Sequence, residues 1–286
     1  MKLNEINIRD PYILLHEGKY YLFGTKNWGG GKVPGFDCYI SEDLENFSKP
    51  VNAFSYYEGF MCKKEFWAPE VHFYNGKFYM LASFRAEGHC RGTHILVSDT
   101  PDGTFVPVSD VPATPLDWEC LDGTLYIDKQ GDPHLVFCHE WLQIGNGAVC
   151  EVKLSRDLSR VLTEPRVLWS AADHPGVAET WKTREGAVTD GPFLFRCENG
   201  ELLSIWSSFT AGDYSELIAR SDNGDIDGNW IVQVEPLSAE GGGHGMIFRT
   251  FAGEKKFIMH RPNSPAGAER PVLMELWEEK GNLRIG

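Results

Sequence analysis

The sequence predicts an all-β fold, and three observations support that prediction. Aromatic residues make up 13% of the 286 residues, and 30 glycines and 16 prolines are typical of many short strands joined by tight turns. Segments with helical periodicity are scarce. One sequence unit, an apolar run followed by a turn and an aromatic-rich run, recurs five times. A repeat of this kind indicates a propeller.

The repeated unit has the pattern of a β-hairpin. The five copies start, in order, at Asp10, Ala68, Asp122, Asp190 and Gly243. Their starts are about 53 to 68 residues apart, near the period of four-stranded propeller blades. Further strand-like pieces lie between the copies. We therefore expect residues 1–286 to form one catalytic domain, a five-bladed β-propeller with four-stranded antiparallel blades around a central channel.

The leading residues of the copies point to a common site. Because the first strand of each blade lines the channel, these residues should meet in one pocket. We expect Asp10, Asp122 and Asp190 at equivalent positions there, with Ala68 and His244 in the other two blades. One aspartate before Pro or Gly is ordinary turn chemistry, but three at the same repeat position favour a carboxylate site.

Charge and composition exclude several classes of function. The net charge of −14 argues against a nucleic-acid surface and is compatible with a neutral ligand such as a sugar. No run approaches the roughly 18 apolar residues of a membrane span. The opening MKLNEINIRD has no apolar signal-peptide core, so we expect a cytoplasmic protein, or a secreted one if a leader has been removed. The seven cysteines form no zinc-binding spacing, and we expect them to be reduced.

Five motifs, one in each copy, resemble those of glycoside hydrolase family 43 in the order that the family has them. They are IRDPYI, FWAPEV, LDGTLYID, VTDGPF and GGHGMI. The resemblance covers nearly the whole chain and implies an inverting glycosidase. It implies Asp10 as the general base, Asp122 as the aspartate that orients the acid and raises its pKa, and Asp190 as the general acid. His244 matches a central histidine that in some members holds a water or a structural calcium ion, and no cofactor is otherwise implied.

The general acid departs from the family pattern. The family usually has Glu in an EGP motif, whereas this chain has Asp190, one methylene shorter, in DGP. A misplacement of about 1 Å can cost a hundredfold in rate. Glu185, in the preceding loop, and Glu140, at the end of the second strand of the third copy, are therefore alternative acids.

Inverting hydrolysis requires two carboxyl groups in different protonation states. An ionised one activates water and a protonated one gives a proton to the leaving oxygen, about 6.5–9.5 Å away. Burial and the like charge of Asp122 would keep the acid protonated. Adjacent strand residues point to opposite faces, so we expect that Arg9 need not pair with Asp10.

Several side chains are candidates for the wall of the sugar pocket. Trp67 is expected to stack on the sugar. The expected hydrogen-bonding residues are Glu70, His139, Glu140, His244 and Arg261. Less favoured aromatic candidates are Trp28, Phe66, Trp141 and Trp206. The expected substrate is a small oligosaccharide or glycoside with a terminal arabinofuranose, xylose or galactofuranose, cleaved by exo action.

Three other functions stay open. A related retaining fructosidase would use a Glu-Cys motif, which Glu119 and Cys120 match, but the chain lacks that group's NDPNG motif. A glycoside phosphorylase would need a basic phosphate pocket, for which Arg85, His89, Arg91 and His94 are candidates. A sugar-binding propeller without catalysis would keep Trp67 and lose one carboxylate.

Overall fold

The computed structural model describes residues 1–26, 35–177, 180–181, 184–211 and 213–286, with only the backbone described at 180, 181, 184 and 185. It confirms the expected all-β fold, a ring of five blades with four antiparallel strands each. The strands of blades one and two are Arg9–His16, Lys19–Thr25, Gly35–Ser41, Val51–Ser55, Cys62–Tyr74, Lys77–Ala86, Gly92–Ser98 and Val106–Pro107. Those of blade three are Cys120–Ile127, Pro133–His139, Ala148–Lys153 and Arg166–Ser170. Those of blades four and five are Asp190–Arg196, Leu202–Thr210, Asp213–Ser221, Trp230–Val232, Gly243–Arg249, Lys255–Arg261, Arg270–Glu279 and Asn282–Ile285.

Few other elements are present in the described residues. They are the short helices Leu3–Glu5, Trp141–Ile144 and Ala171–Asp173, and the two-stranded pair Thr180–Trp181 and Arg184–Glu185. No helix in the described part of the chain is long and apolar enough to cross a membrane. All seven cysteines are free thiols.

Aromatic side chains fill the spaces between blades. Phe36 and Phe54 of blade one pack against Phe66 and Phe84 of blade two, and the Phe66 and Phe84 ring centroids are 4.8 Å apart. Phe66 therefore belongs to the core. Between blades three and four, Trp206 packs against Trp169 and is fully buried. Trp206 is likewise a core residue. Phe66 and Trp206 are thus accounted for by packing rather than by ligand contact.

Every blade carries the same β-bulge near the start of its first strand. In blade one, Arg9 pairs with Thr25 but Tyr12 pairs with Phe23, so three steps along one strand match two along the other. The same offset occurs in the other four blades. At each bulge one residue has a left-handed backbone: Asp10 (φ 53°), Ala68 (46°), Asp122 (56°), Gly191 (53°) and His244 (51°).

The bulges correct one prediction. Asp10 and Asp122 are equivalent, as expected, but the matching residue in blade four is Gly191. Asp190 lies one residue earlier, where it pairs with Ser207 as Arg9 pairs with Thr25. A one-residue shift changes the direction of a side chain. Asp190 therefore enters the channel region from a different backbone position than the other two aspartates.

The N–H of the left-handed residue ties each blade to the preceding one. Ala68 donates to Thr25 Oγ1 (2.7 Å) and Asp122 donates to Ser83 Oγ (2.9 Å). His244 donates in the same way to Ser207 Oγ (2.7 Å). The ring closes where the Asp10 N–H donates to Nδ1 of His260 at 3.2 Å. We call these contacts the interblade hydrogen bonds.

The contact between blades three and four differs. The side chain in the equivalent acceptor position is Cys138, which pairs with Leu121 as Ser83 pairs with Trp67. The Gly191 N–H donates instead to Oδ2 of Asp122, at 3.0 Å. The carboxylate of Asp122 thus takes the place of the hydroxyl or imidazole that accepts this bond in the other blades.

We expect Ser83→Ala to lower the free energy of unfolding by about 1–3 kcal/mol, because it leaves the buried Asp122 N–H without its acceptor. Chemical denaturation of both proteins measures the difference. Ser109→Ala is the matched control, since that hydroxyl accepts a bond from Val111 N in an exposed loop. Equal stability of the two variants would contradict the structural role of the interblade bond.

Candidate active site

Asp10 is a buried carboxylate held in its ionised form. Its Oδ1 lies 3.2 Å from Nδ1 of His244, and its Oδ2 accepts a 2.6 Å hydrogen bond from Thr25 Oγ1. Burial alone would raise the pKa of Asp10, but the nearby charges of His244 and Arg9 hold that pKa well below its usual range. Asp10 therefore has the charge that a general base requires.

Arg9 pairs with Asp10, contrary to the alternation expected along a regular strand. Its Nε lies 3.3 Å from Oδ1 of Asp10. The left-handed backbone at Asp10 breaks the alternation, so both side chains reach the same side. Arg9 also donates to Asn263 Oδ1 at 3.0 Å and lies 3.5 Å from Glu269 Oε1.

His244 connects the two equivalent aspartates. Its Nδ1 is 3.2 Å from Asp10 Oδ1 and 3.6 Å from Asp122 Oδ2. Burial lowers the pKa of His244, but Asp10 and Asp122 outweigh burial and raise that pKa above its ordinary value. The imidazolium form is thereby favoured. A Cβ at Gly191 would lie 2.6 Å from Cγ of His244, so only glycine leaves room for this ring.

Asp122 lies against the residue that follows Asp190. Its Oδ2 accepts the Gly191 N–H, and its own N–H is held by Ser83. Burial raises the pKa of Asp122 and the charge of Asp10 adds to that effect, while His244 opposes it. Asp122 is therefore a fixed carboxyl group whose charge is sensitive to its neighbours.

Asp190 has the environment of a proton donor. Burial and the charge of Asp122 raise its pKa, so the protonated form persists to higher pH than in an ordinary aspartate. Its Oδ2 accepts a 3.0 Å hydrogen bond from the Tyr214 hydroxyl. Tyr214 comes from the third strand of blade four, and the sequence motifs did not indicate it.

Glu140 is another carboxyl group with a raised pKa, near enough to Asp190 to feel its charge. Burial raises its pKa to about 7, against the opposing charge of Arg91, whose Nη2 donates to Oε2. The Arg91 guanidinium also lies over the Trp67 ring, 4.5 Å from its centroid. Arg91 thus links the predicted stacking residue Trp67 to the alternative acid Glu140.

The arginines proposed for a phosphate pocket are paired with carboxylates. Arg85 contacts Glu65 (2.7 Å) and Glu119 (2.6 Å), and Arg91 contacts Glu65 (3.2 Å) as well as Glu140. His94 is buried, which lowers its pKa to about 4 and keeps it neutral. Neutralised arginines do not favour the phosphorylase interpretation.

The same ion pairs bear on the fructosidase interpretation. Burial would raise the pKa of Glu119, but the Arg91 N–H and the Arg85 guanidinium outweigh it and lower that pKa. An ionised Glu119 is a poor proton donor at neutral pH. The match of Glu119 to the Glu-Cys motif is therefore accounted for by a structural ion pair with Arg85.

Three predicted substrate-binding residues have other contacts. The buried Glu70 carboxylate lies 3.0 Å from Nε2 of His72. His139 stacks on Trp118 with ring centroids 4.1 Å apart. Arg261 forms an ion pair with the exposed Glu240. The structure thus groups Asp10, Asp122, Asp190 and His244 but gives Arg261 a partner outside that group.

The structure describes the three remaining candidates to different extents. Trp141 is buried in the short helix 141–144. Trp28 lies outside the described residues. Glu185 pairs with Thr180 through the backbone, but its side chain is outside the described part of the structure. The role of Glu185 as an alternative acid stays a prediction.

The surroundings of Nδ1 of His244 do not favour a calcium ion at that nitrogen, and the expected calcium or water site near His244 stays a prediction. This nitrogen lies between two carboxylates and is favoured in its protonated form, which cannot bind a cation. Calcium prefers six to eight oxygen ligands. No group of three or more His, Cys, Asp or Glu side chains in the described ranges is arranged to hold a metal.

Comparison with known proteins identifies the family. A profile for glycosyl hydrolases family 43 matches residues 4–278. The chain belongs to this family. It is a family 43 glycoside hydrolase, and the expected resemblance is confirmed.

Solved structures of similar proteins cover the whole propeller. An endo-arabinase from Bacteroides thetaiotaomicron is 36% identical with a TM-score of 0.91, and the alignment covers 98% of each chain. An endo-1,4-β-xylanase from the same organism is 27% identical with a TM-score of 0.80, covering 99% of this chain and 95% of that one. A thermostable family 43 glycoside hydrolase is 25% identical with a TM-score of 0.83, covering 98% and 92%. A search among curated proteins found no match.

We expect Tyr214→Phe to raise the pKa of Asp190 further, because the hydroxyl stabilises the ionised carboxylate. The measurement is an NMR titration of Asp carboxyl carbons, with Asp190→Asn assigning the signal. Tyr126→Phe is the control, since the Tyr126 hydroxyl donates to Asp225 at 2.7 Å in a different hydrogen-bond network. A pKa of Asp190 that is unchanged or lower in Tyr214→Phe would contradict the assigned contact.

Proposed function

We propose that the protein is an inverting, exo-acting glycosidase that releases a terminal sugar from short oligosaccharides, with α-L-arabinofuranose as the first choice. The observation that supports this proposal most is that the pKa values of two carboxyl groups are shifted in opposite directions. The pKa of Asp10 is held low and that of Asp190 is raised, with His244 and Asp122 between them. Different environments for two carboxyls assign the base and the acid.

The reaction follows from these charges. Asp10 accepts a proton from a water molecule as the water oxygen bonds to the anomeric carbon. Asp190 gives its proton to the leaving oxygen as the glycosidic bond breaks, and the sugar configuration inverts. His244 keeps Asp10 ionised, and Asp122 keeps Asp190 protonated. These steps use side chains of this chain and require no cofactor.

Arabinose is preferred over xylose and galactofuranose because of the comparisons. The protein that is 36% identical to this chain is described as an endo-arabinase, and the one that is 27% identical is described as an endo-1,4-β-xylanase. Both descriptions are of endo-acting enzymes. We nevertheless propose exo action, because Asp10 and Asp122 are each only 7% exposed and the end of a sugar chain reaches buried carboxyl groups more easily than its middle does.

The substrate and the outcome are tested with a panel of nitrophenyl glycosides and linear and branched arabino-oligosaccharides. We expect release of single arabinose units, with the inverted anomer formed first in the NMR spectrum. Release of longer oligosaccharides from the interior of arabinan would replace exo with endo action. Retention of configuration would reject the inverting mechanism.

Glu140 is the second candidate for the general acid, because burial raises its pKa to about 7. Its side chain is one methylene longer than that of Asp190. The ion pair with Arg91 favours its ionised form, which weakens it as a donor. For this reason we assign the acid role to Asp190.

We expect Asp190→Asn to reduce kcat on an unactivated arabino-oligosaccharide by about 10²–10⁴-fold. The loss should be much smaller on a dinitrophenyl glycoside, because that leaving group needs no proton. Glu140→Gln is the matched control and should keep the wild-type dependence on the leaving group. The reverse pattern would assign the acid to Glu140. Asp10→Asn should be impaired on both substrates.

We expect kcat/KM to have an unusual pH dependence. Since the pKa of Asp190 is raised, activity should persist into the neutral range and be lost as rising pH deprotonates it. On the acid side, activity should fall as Asp122 becomes protonated, above the range of an ordinary aspartate. The low pKa of Asp10 should not appear as a limb. A profile flat from pH 4 to pH 8 would contradict these assignments.

A further inference from the structure

One position in the ring of interblade hydrogen bonds breaks the pattern. The acceptor position on the second strand of each blade holds, in chain order, Thr25, Ser83, Cys138, Ser207 and His260. The hydroxyl and imidazole side chains accept the N–H of the next blade. A thiol is a weak acceptor. Cys138 is therefore the chemically different member of the set.

The thiol is also unable to act as a charged acceptor. Cys138 is fully buried, and burial together with the charges of Asp122 and Asp190 raises the pKa of its thiol well above the ordinary value. It therefore stays a neutral thiol. The N–H that a hydroxyl would accept in this blade, that of Gly191, is left for another group.

That other group is Asp122. Its Oδ2 accepts a hydrogen bond from the Gly191 N–H at 3.0 Å. A hydrogen bond to a carboxylate is stronger than one to a neutral acceptor. Gly191 directly follows Asp190, so the bond fixes the carboxylate of Asp122 beside the proposed acid. At the contact between blades two and three, the corresponding N–H, that of Asp122 itself, donates to Ser83 of blade two.

We propose that Cys138 is a positioning residue: by withholding a strong acceptor, it leaves the Gly191 N–H to Asp122 and thereby orients Asp122 beside Asp190. The kinetic part of this inference rests on the proposed glycosidase function, and the hydrogen-bond part does not. A hydroxyl at position 138 should capture the N–H, as Ser83 and Ser207 do in their blades.

Other charged groups also act on Asp122. His244 lies 3.6 Å from its Oδ2, and the charges of Asp10, Asp190 and Arg91 act on the site. None of them replaces a hydrogen bond at Oδ2 from the backbone of blade four. Loss of that bond should let the Asp122 carboxylate turn toward His244.

The variants Cys138→Ser and Cys138→Ala distinguish a positioning role of Cys138 from a role in packing alone. Serine introduces a strong acceptor of similar size, whereas alanine removes the thiol without adding an acceptor. A purely structural role of Cys138 in packing predicts that alanine is the more damaging change. The positioning role predicts instead that serine disturbs the site more than alanine does.

The direct measurement is the amide signal of Gly191. The protein is labelled with ¹³C at the backbone carbonyl of Asp and with ¹⁵N at Gly. A spectrum that requires both labels in one peptide bond then contains signals only from Asp-Gly pairs. The sequence has four such pairs, at 102–103, 122–123, 190–191 and 227–228. Asp190→Asn removes one signal and assigns it. We expect the amide proton of Gly191 to shift upfield in Cys138→Ser and in Asp122→Asn, and to stay near its wild-type position in Cys138→Ala.

The kinetic measurement uses the glycosidase assay. We expect Cys138→Ser to lower kcat by about tenfold to a hundredfold with little change in KM, and Cys138→Ala to keep near wild-type kcat. Thermal melts of both variants exclude unfolding as the cause.

Two results would overturn the inference. One is a Gly191 signal that stays in place in Cys138→Ser or moves equally in Cys138→Ala. The other is a shifted signal in Cys138→Ser with unchanged kcat. If the wild-type protein hydrolyses no glycoside, the proposed function fails, and the amide signals still decide whether Cys138 controls the hydrogen bond.

Discussion

The site depends on a backbone constraint that recurs in every blade. A β-bulge forces one residue of each first strand into a left-handed conformation, and its N–H then crosses to the preceding blade. An unpaired buried N–H is costly, so the acceptors on the second strands are required by the fold. The same bulge that joins the blades aims Asp10, Asp122 and His244 into one cluster. The joining of the blades and the proposed catalytic cluster therefore rest on the same backbone geometry.

Charge balance within this cluster determines its chemistry. Asp10, Asp122 and Asp190 would repel one another if all were ionised in a buried site. His244 and Arg9 stabilise the charge of Asp10, whereas Asp190 has a raised pKa beside Asp122. One group of carboxyls thus contains an ionised member and a protonated member. A difference of this kind is what acid and base catalysis by two carboxyls requires.

The shorter side chain of Asp190 does not act alone. It lies one residue before Gly191, the left-handed residue of the bulge, and the Tyr214 hydroxyl contacts its carboxyl group. The Asp122 carboxylate is bonded to the next N–H in the chain, at Gly191. Glu140 and Arg91 form another charged pair, near enough to Asp190 for Glu140 to feel its charge. These contacts support the proposal that Asp190 is the general acid.

The sequence by itself determined the architecture, because strand periodicity and the fivefold repeat are patterns of residue type along the chain and need no knowledge of contacts between distant segments. It also indicated Asp10, Asp122, Asp190 and His244 through short motifs. It could not show that Asp190 is one residue out of register, since a bulge depends on pairing between strands. Nor could it show that Arg9 joins Asp10. Contacts such as those of Tyr214 and Arg91 exist only when distant segments meet, and pKa values depend on the burial and charges that those contacts create. The tertiary structure therefore decided which carboxyl is ionised and which one can keep a proton.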